Sequence, residues 1–320
     1  MLMNRLSNPF FCSLAFVAIM LAVFQLESVM LDRLVPIDQS VKVNWIYSHA
    51  GAFDYAFVGS SAAYAGLDGK ALSDGLDGSV INLGLDGTAH PEQYMVLAAF
   101  LESNDVGTII LQVDAWGLDE NAYGYPFHEY LHLPYLDKPV VAEVVAERRG
   151  GRLAAWKYVP FLKYAEFNTQ IGVPNVVHVI AGRQPEFDVY GSSLRNQAFN
   201  PAELETLDAA DDYHSYAWST MRAEYFERML ELARNKGIPV IVYLTPEYHA
   251  VLEYSPWRHQ VVSYYRETVT AAGQTFLSYD DDPLCRDRLN FYNTSHLNRD
   301  GAGRFAPLLA RDVLAAARRD

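Results

Sequence analysis

From Leu6 to Leu26 the chain carries 21 consecutive residues without a charge, and no second stretch of comparable length exists. At ~1.5 Å per residue, a helix of this length reaches about 30 Å, the depth of a bilayer's hydrocarbon core. Such a segment either spans a membrane or is a signal sequence that is removed. Gln25-Leu26-Glu27-Ser28-Val29-Met30 lacks the small-x-small pattern of a cleavage site, which favours the span. Arg5 precedes the stretch and Glu27, Asp32 and Arg33 follow it, so the charge bias leaves the N-terminus in the cytoplasm. The expectation is a cytoplasmic N-terminus and transmembrane anchor over 1–31. Residues 32–320 then form an extracytoplasmic, periplasmic domain held at the inner membrane by one helix.

Half of the 320 residues are apolar and a fifth charged, enough to bury a sizeable core. With 39 acidic against 25 basic side chains the net charge is −14, so a nucleic acid would meet repulsion and is excluded as a partner. Cys12 and Cys285 stand far apart and outside any Cys/His ligand spacing, which excludes a disulfide scaffold and a zinc module. Neither a metal nor an organic cofactor is implied.

Beyond the anchor, apolar runs alternate with amphipathic stretches. Asp54–Gly59, Val80–Gly84 and Thr108–Val113 read as buried strands; Pro91–Glu102 reads as a helix, with Tyr94, Leu97, Ala98 and Leu101 on one face. The pattern resumes with a helix over Tyr216–Lys236, a strand over Ile238–Leu244, a helix over Trp257–Ala272, a strand over Thr275–Ser278 and a last helix over Gly301–Arg319. Strands separated by helices of this length pair in parallel, which predicts a three-layer αβα domain. Between about 116 and 213 the alternation gives way to an aromatic, proline-punctuated stretch with Tyr123, Tyr125, Phe127, Tyr130, Tyr135, Trp156, Tyr158 and Phe161. It reads as an insertion, either a substrate wall or a purely structural cap.

Three short segments stand at strand ends, where an open α/β sheet places its ligands. In Phe57-Val-Gly-Ser-Ser-Ala62 a serine at a helix start is either a nucleophile or an ordinary cap. In Ile81-Asn82-Leu83-Gly84-Leu85-Asp86-Gly87-Thr88 the glycines either expose N–H groups to an oxyanion or simply turn the chain. In Phe291-Tyr292-Asn293-Thr294-Ser295-His296-Leu297-Asn298 the histidine is either a base or a surface residue before a helix.

In this order, the three segments resemble the blocks of the SGNH or GDSL-type hydrolase superfamily, over about 54–114 and 216–319. The resemblance implies a flavodoxin-like SGNH domain. It assigns the nucleophile to Ser61, with Ser60 in the place of the family's aspartate, an oxyanion donor to the Gly84 N–H and the general base to His296. Asn293 stands where the family has the aspartate that orients this histidine. A neutral amide still fixes a tautomer but stabilises imidazolium less; Asp280, Asp281, Asp282 and Asp287 are alternative carboxylates. The third block's Gly-x-Asn-Asp is missing, and Asp114-Ala-Trp116 follows the strand instead. Asp114 there is protonated, points away, or caps the following turn.

One anchor, an outward domain, Gly-Ser-Ser and an aromatic insertion together resemble the membrane-anchored SGNH-like proteins of cell-envelope polysaccharide O-acylation. That resemblance implies an acyl-ester hydrolase or O-acyltransferase acting on a cell-surface polysaccharide or other acylated glycan, with a membrane-bound acyltransferase as a possible partner. The alternative is a catalytically inactive SGNH-like scaffold that binds a glycan or such an acyltransferase.

Overall fold

The computed structural model of the protein describes residues 9–34, 38–122, 128–171, 177, 180–182, 188–202, 204 and 216–318. Arg5 and residues 6–8 of the expected span lie outside the described residues. So do Tyr123, Tyr125 and Phe127 of the expected insertion, its boundary at 213, and Arg319. The chain divides into two compact units, Met1–Asn44 with His128–Glu186, and Trp45–Phe127 with Phe187–Asp320. The boundary therefore falls inside the stretch expected as one insertion.

The smaller unit contains helix α1 (Pro9–Leu34), whose stretch Pro9–Val29 is long and apolar enough to cross a membrane, with a mean hydropathy of 2.2. Phe10, Leu14, Phe16, Val17 and Ile19 are all exposed, as lipid-facing side chains would be. Helix α2 (Asp38–Ser48) follows and runs across the division between the units. Among its other described residues are the short helices α6 (Pro139–Arg149), α7 (Arg152–Tyr158), α8 (Leu162–Glu166) and α9 (Asn168–Ile171). Val140, Val141, Val144 and Val145 make the buried stripe of α6, at the i, i+1, i+4, i+5 spacing of one helix face. Trp156 packs against Phe167 at 5.7 Å between ring centroids and Phe167 against Tyr130 at 6.2 Å, while the Trp156 indole N–H donates to Glu166 at 2.6 Å.

The larger unit is an α/β fold around five strands, β1 (Gly51–Val58), β2 (Val80–Asn82), β3 (Asn104–Val113), β4 (Val240–Leu244) and β5 (Thr275–Ser278). Every pairing is parallel, in the order β2-β1-β3-β4-β5. Between them run α3 (Ser61–Gly66), α4 (Gly69–Leu76), α5 (His90–Phe100), α10 (Thr220–Lys236) and α11 (Arg258–Ala271), and α12 (Arg299–Ala316) closes the chain. β3 starts at Asn104, earlier than expected, because its first half alternates buried and exposed residues and only its second half is a continuous apolar run. α10 starts at Thr220, later than expected, because the Ser219 hydroxyl accepts from the Arg222 N–H at 3.4 Å and caps it there.

Phe57, Ile110 and Ile241 on the central strands share one apolar cluster with Leu72 and Leu76 of α4 and Phe305, Leu309 and Val313 of α12. Truncating one such side chain to alanine costs about 2–5 kcal/mol. From β1 the chain goes to β2 on one side and later to β3 on the other, so the strand order switches direction between β1 and β3. In an open parallel sheet the crevice beyond the carboxyl ends at that switch is the place for a ligand.

Candidate active site

Three loops converge at this edge. The first leaves β1 through Gly59 and enters α3. Ser60 has extended backbone (φ −87°, ψ −158°) and is the cap: its hydroxyl accepts from the Ala62 N–H at 3.4 Å. Ser61 is the first helical residue. The two serines therefore have different tasks, and the cap falls on Ser60. Its N–H donates to Gln112 Oε1 at 2.8 Å and its hydroxyl reaches Gln112 Oε1 at 3.1 Å and Asp114 Oδ2 at 3.2 Å. The Gln112 amide in turn donates to Asp114 Oδ2 at 3.1 Å, and Asp114 Oδ1 accepts from the Trp116 N–H at 3.0 Å. Asp114 thus caps the turn after β3 while receiving Ser60 and Gln112 on its other oxygen.

The second loop follows β2. Asn82 Oδ1 accepts from the Gly84 N–H at 2.9 Å, and Asn82 Nδ2 donates to the Ala63 carbonyl at 2.8 Å and to Ser192 Oγ at 3.3 Å. A Cβ on Gly84 would lie 2.9 Å from Ala63 Cβ, Asn82 Oδ1 and the Tyr64 N, so only glycine lets this turn lie against the start of α3. The N–H that the resemblance assigns to an oxyanion is held by a side chain of its own turn.

The third loop is closed by a bridge between Phe291 and Leu297 and by the Tyr292 N–H donating to the His296 carbonyl at 3.1 Å. Asn298 caps α12 through Oδ1, which accepts from the Gly301 N–H at 2.9 Å, and ties the loop down with Nδ2 on the carbonyls of Leu289 (2.8 Å) and Phe291 (3.2 Å). The Tyr292 ring stacks on His296 at 5.3 Å. His296 Nε2 lies 2.6 Å from Ser61 Oγ, and His296 Nδ1 lies 2.9 Å from Asn293 Oδ1. Asn293 Oδ1 also accepts from the Ser295 N–H at 3.1 Å, which identifies that atom as the amide oxygen. An oxygen acceptor requires the proton on Nδ1, leaving Nε2 as an acceptor for the Ser61 hydroxyl.

The aspartates before this loop have other partners. Asp280 pairs with Arg258, Asp282 accepts from the Leu284 N–H at 2.9 Å, and Asp287 accepts from the Leu289 N–H at 3.0 Å; Asp281 is exposed. Arg258 also pairs with Glu247 just past β4, and burial pushes the Glu247 carboxyl up to about 7 against the pull of Arg258. At the start of α5, burial pushes His90 down to about 4; its Nδ1 meets the Arg222 carbonyl at 3.0 Å.

A strap of chain from Asp188 to Asn200 was not anticipated as part of the site. The Tyr190 carbonyl accepts from Asn82 N at 2.8 Å, Ser193 N donates to the Tyr64 carbonyl at 2.8 Å, and the Arg195 carbonyl accepts from Arg299 N at 2.8 Å. Asn200 N then donates to the Tyr292 carbonyl at 3.0 Å. The strap is thereby stitched to all three loops in turn. Its only local signal is the turn Asp188-x-x-Gly191, where Gly191 has φ +78° and the Ser192 N–H donates to Asp188 Oδ2 at 2.9 Å. Gln112 was missed as well; a buried amide in the run Ile109-Ile-Leu-Gln-Val was its signal.

Among the described residues no group of three or more His, Cys, Asp or Glu side chains is placed to hold a metal ion. No protein-family model matches this chain, and no curated protein matches it in sequence. The class of protein is therefore defined by its own geometry: an all-parallel α/β sheet with Ser61, His296 and Asn293 in hydrogen-bond contact beyond the end of β1.

Proposed function

We propose that the chain is an inner-membrane, single-pass protein whose three-layer SGNH-like domain faces the periplasm and hydrolyses or transfers an acyl ester on a cell-surface glycan. The observation that carries this reading is the 2.6 Å contact of Ser61 Oγ with His296 Nε2, backed by Asn293 at Nδ1, between segments 235 residues apart. A serine whose hydroxyl donates to an oriented imidazole is an activated nucleophile.

In the first half-reaction, Ser61 Oγ attacks the acyl carbonyl while its proton moves to His296 Nε2. The carbonyl π pair becomes the oxyanion, facing the N–H groups of Ser61 and Gly84 once Gly84 turns from Asn82. Collapse expels the alcohol, which takes the proton from His296. A glycan hydroxyl or water then gives its proton to His296 and attacks the acyl-enzyme, and collapse releases the new ester or the free acid while His296 Nε2 returns the proton to the departing Ser61 Oγ. Asn293 keeps Nδ1 protonated throughout. Its neutral oxygen stabilises the imidazolium less than a carboxylate would.

The rival is a catalytically inactive scaffold that binds a glycan or a membrane-bound acyltransferase. The observations that favour it are the engagement of the Gly84 N–H by Asn82 and the carboxylate of Asp114 in place of the family's third-block asparagine. A fluorophosphonate probe separates the two. Labelling of the full chain at Ser61, lost in Ser61→Ala and in His296→Ala, supports the enzyme. Unlabelled protein whose His296→Ala variant still supports normal acyl content of the cell-surface polymer supports the scaffold.

A further inference from the structure

We infer that the segment around Tyr158 and Val159 of the smaller unit lies in the headgroup boundary of a phospholipid bilayer, so that this unit is a membrane-surface collar around its own anchor. The inference rests on α1 being a membrane span. Three contacts fix the height of the segment on α1. Gln25 Nε2 donates to the Lys157 carbonyl at 3.2 Å, the Phe161 N–H donates to Ser28 Oγ at 3.3 Å, and the Phe24 and Phe161 rings meet edge to face at 5.9 Å. The charge-free run ends at Leu26 and the candidate span at Val29, one and four residues beyond Gln25, so the Lys157 backbone sits ~2–6 Å inside the apolar end of α1. That depth is the boundary between headgroups and acyl chains, where amphipathic segments rest with their apolar side down.

The side chains suit that depth. Tyr158 is 70 % and Val159 49 % exposed, whereas Trp156, Tyr164 and Phe167 nearby in the same unit are buried. Lys157 lies 5.9 Å from the Tyr158 ring centroid, and interfacial belts combine such aromatic rings with long basic side chains. Between 139 and 166 the chain has five basic residues, Arg148, Arg149, Arg152, Lys157 and Lys163, against three glutamates, in a protein of net charge −14. This local reversal of sign favours the anionic component of a bacterial-type lipid surface. Gln25, a polar residue inside an apolar run, also gains a reason: it is the peg on which the collar hangs.

The test uses the full chain, with Cys12→Ala, reconstituted in phosphatidylethanolamine and phosphatidylglycerol vesicles. Bimane is attached to a cysteine at Val159 or Tyr158 and, as a water-exposed control in the larger unit, at Leu289, which is 70 % exposed. The expected result is at least ~threefold weaker iodide quenching at 158 and 159 than at 289, with strong quenching by lipids spin-labelled near the headgroup. Equal iodide quenching at all three sites, in chains that stay with the vesicles after a carbonate wash, overturns the collar and leaves the anchor standing. Release by carbonate overturns the anchor and the collar with it. Protection from iodide without quenching by lipid means that protein covers the segment, and this also overturns the inference.

Discussion

Asn293 Oδ1 accepts two N–H groups at once, from Ser295 and His296, so the amide cannot rotate without leaving a donor unmet. This makes Asn293 a positioning group for the His296 tautomer. Asn293→Asp is expected to raise ester turnover several-fold by stabilising the imidazolium, and Asn293→Ala to lower it about tenfold or more. If one of Asp280, Asp281, Asp282 and Asp287 served instead, the sensitive position would be that aspartate and Asn293→Ala would be silent. Under the proposed function, Ser61→Ala and His296→Ala should each remove turnover to a similar extent, with the double variant no worse, as expected of a pair acting as one unit. Turnover of an acetyl ester, paired with the acyl content of the cell-surface polymer, measures all of these. Gln112 works at one remove. It holds both the N–H and the hydroxyl of Ser60, so Gln112→Leu strands a buried donor and should lower unfolding free energy by about 1–3 kcal/mol in urea titrations.

At the scale of elements, the site is a meeting of short loops, two of them pinned by a side-chain cap at the following helix. Ser60 starts α3 and Asn298 starts α12, and both caps leave the reactive neighbour, Ser61 or His296, beside a backbone that is already fixed. The strap from Asp188 to Asn200 depends on its turn. A Cβ on Gly191 would lie 2.3 Å from the Asn82 carbonyl oxygen, on a backbone whose φ of +78° already disfavours an L side chain. Gly191→Ala should therefore displace the strap from β2, destabilise the larger unit by about 1–3 kcal/mol and raise KM for a glycan ester. Labelling of Ser61 by a small covalent probe should change little, because the Ser61–His296 contact does not involve the strap. An equal loss in both assays would show that the strap orders the catalytic pair itself.

For the whole molecule, the proposed anchoring by α1 and the ionisation of buried groups set the measurable behaviour. A C-terminal reporter active only outside the cytoplasm should be active, and the protein should stay with membranes after a carbonate wash; a shortened soluble form would mark α1 as a cleaved signal. In the larger unit two buried groups oppose each other with pH. His90 is depressed to about 4, so its contribution to stability is present above the usual histidine range and is lost as pH falls through 4. Glu247 is raised to about 7, so its contribution is present below the usual carboxylate range and is lost as pH rises through 7. Between about pH 4.5 and 6.5 the two trends oppose each other and largely cancel. Glu247→Gln removes one of them, and its unfolding free energy should climb with pH by about 2–3 kcal/mol relative to the parent chain. The long apolar N-terminal helix, the alternation of strands and helices, and the motifs at 60–61, 82–84 and 293–298 were legible in the chain because each depends on composition or short-range spacing. The two-unit division was not, since the aromatic stretch carries no periodicity to say which part stays with α1. Nor was the strap, whose ties are backbone hydrogen bonds that leave no side-chain signature. Local sequence determined where the reactive groups could stand on their own elements. Only the tertiary structure decided that Ser61 and His296 touch across 235 residues, because α12 packs against α3 and α4 and so brings the loop before it to the end of β1.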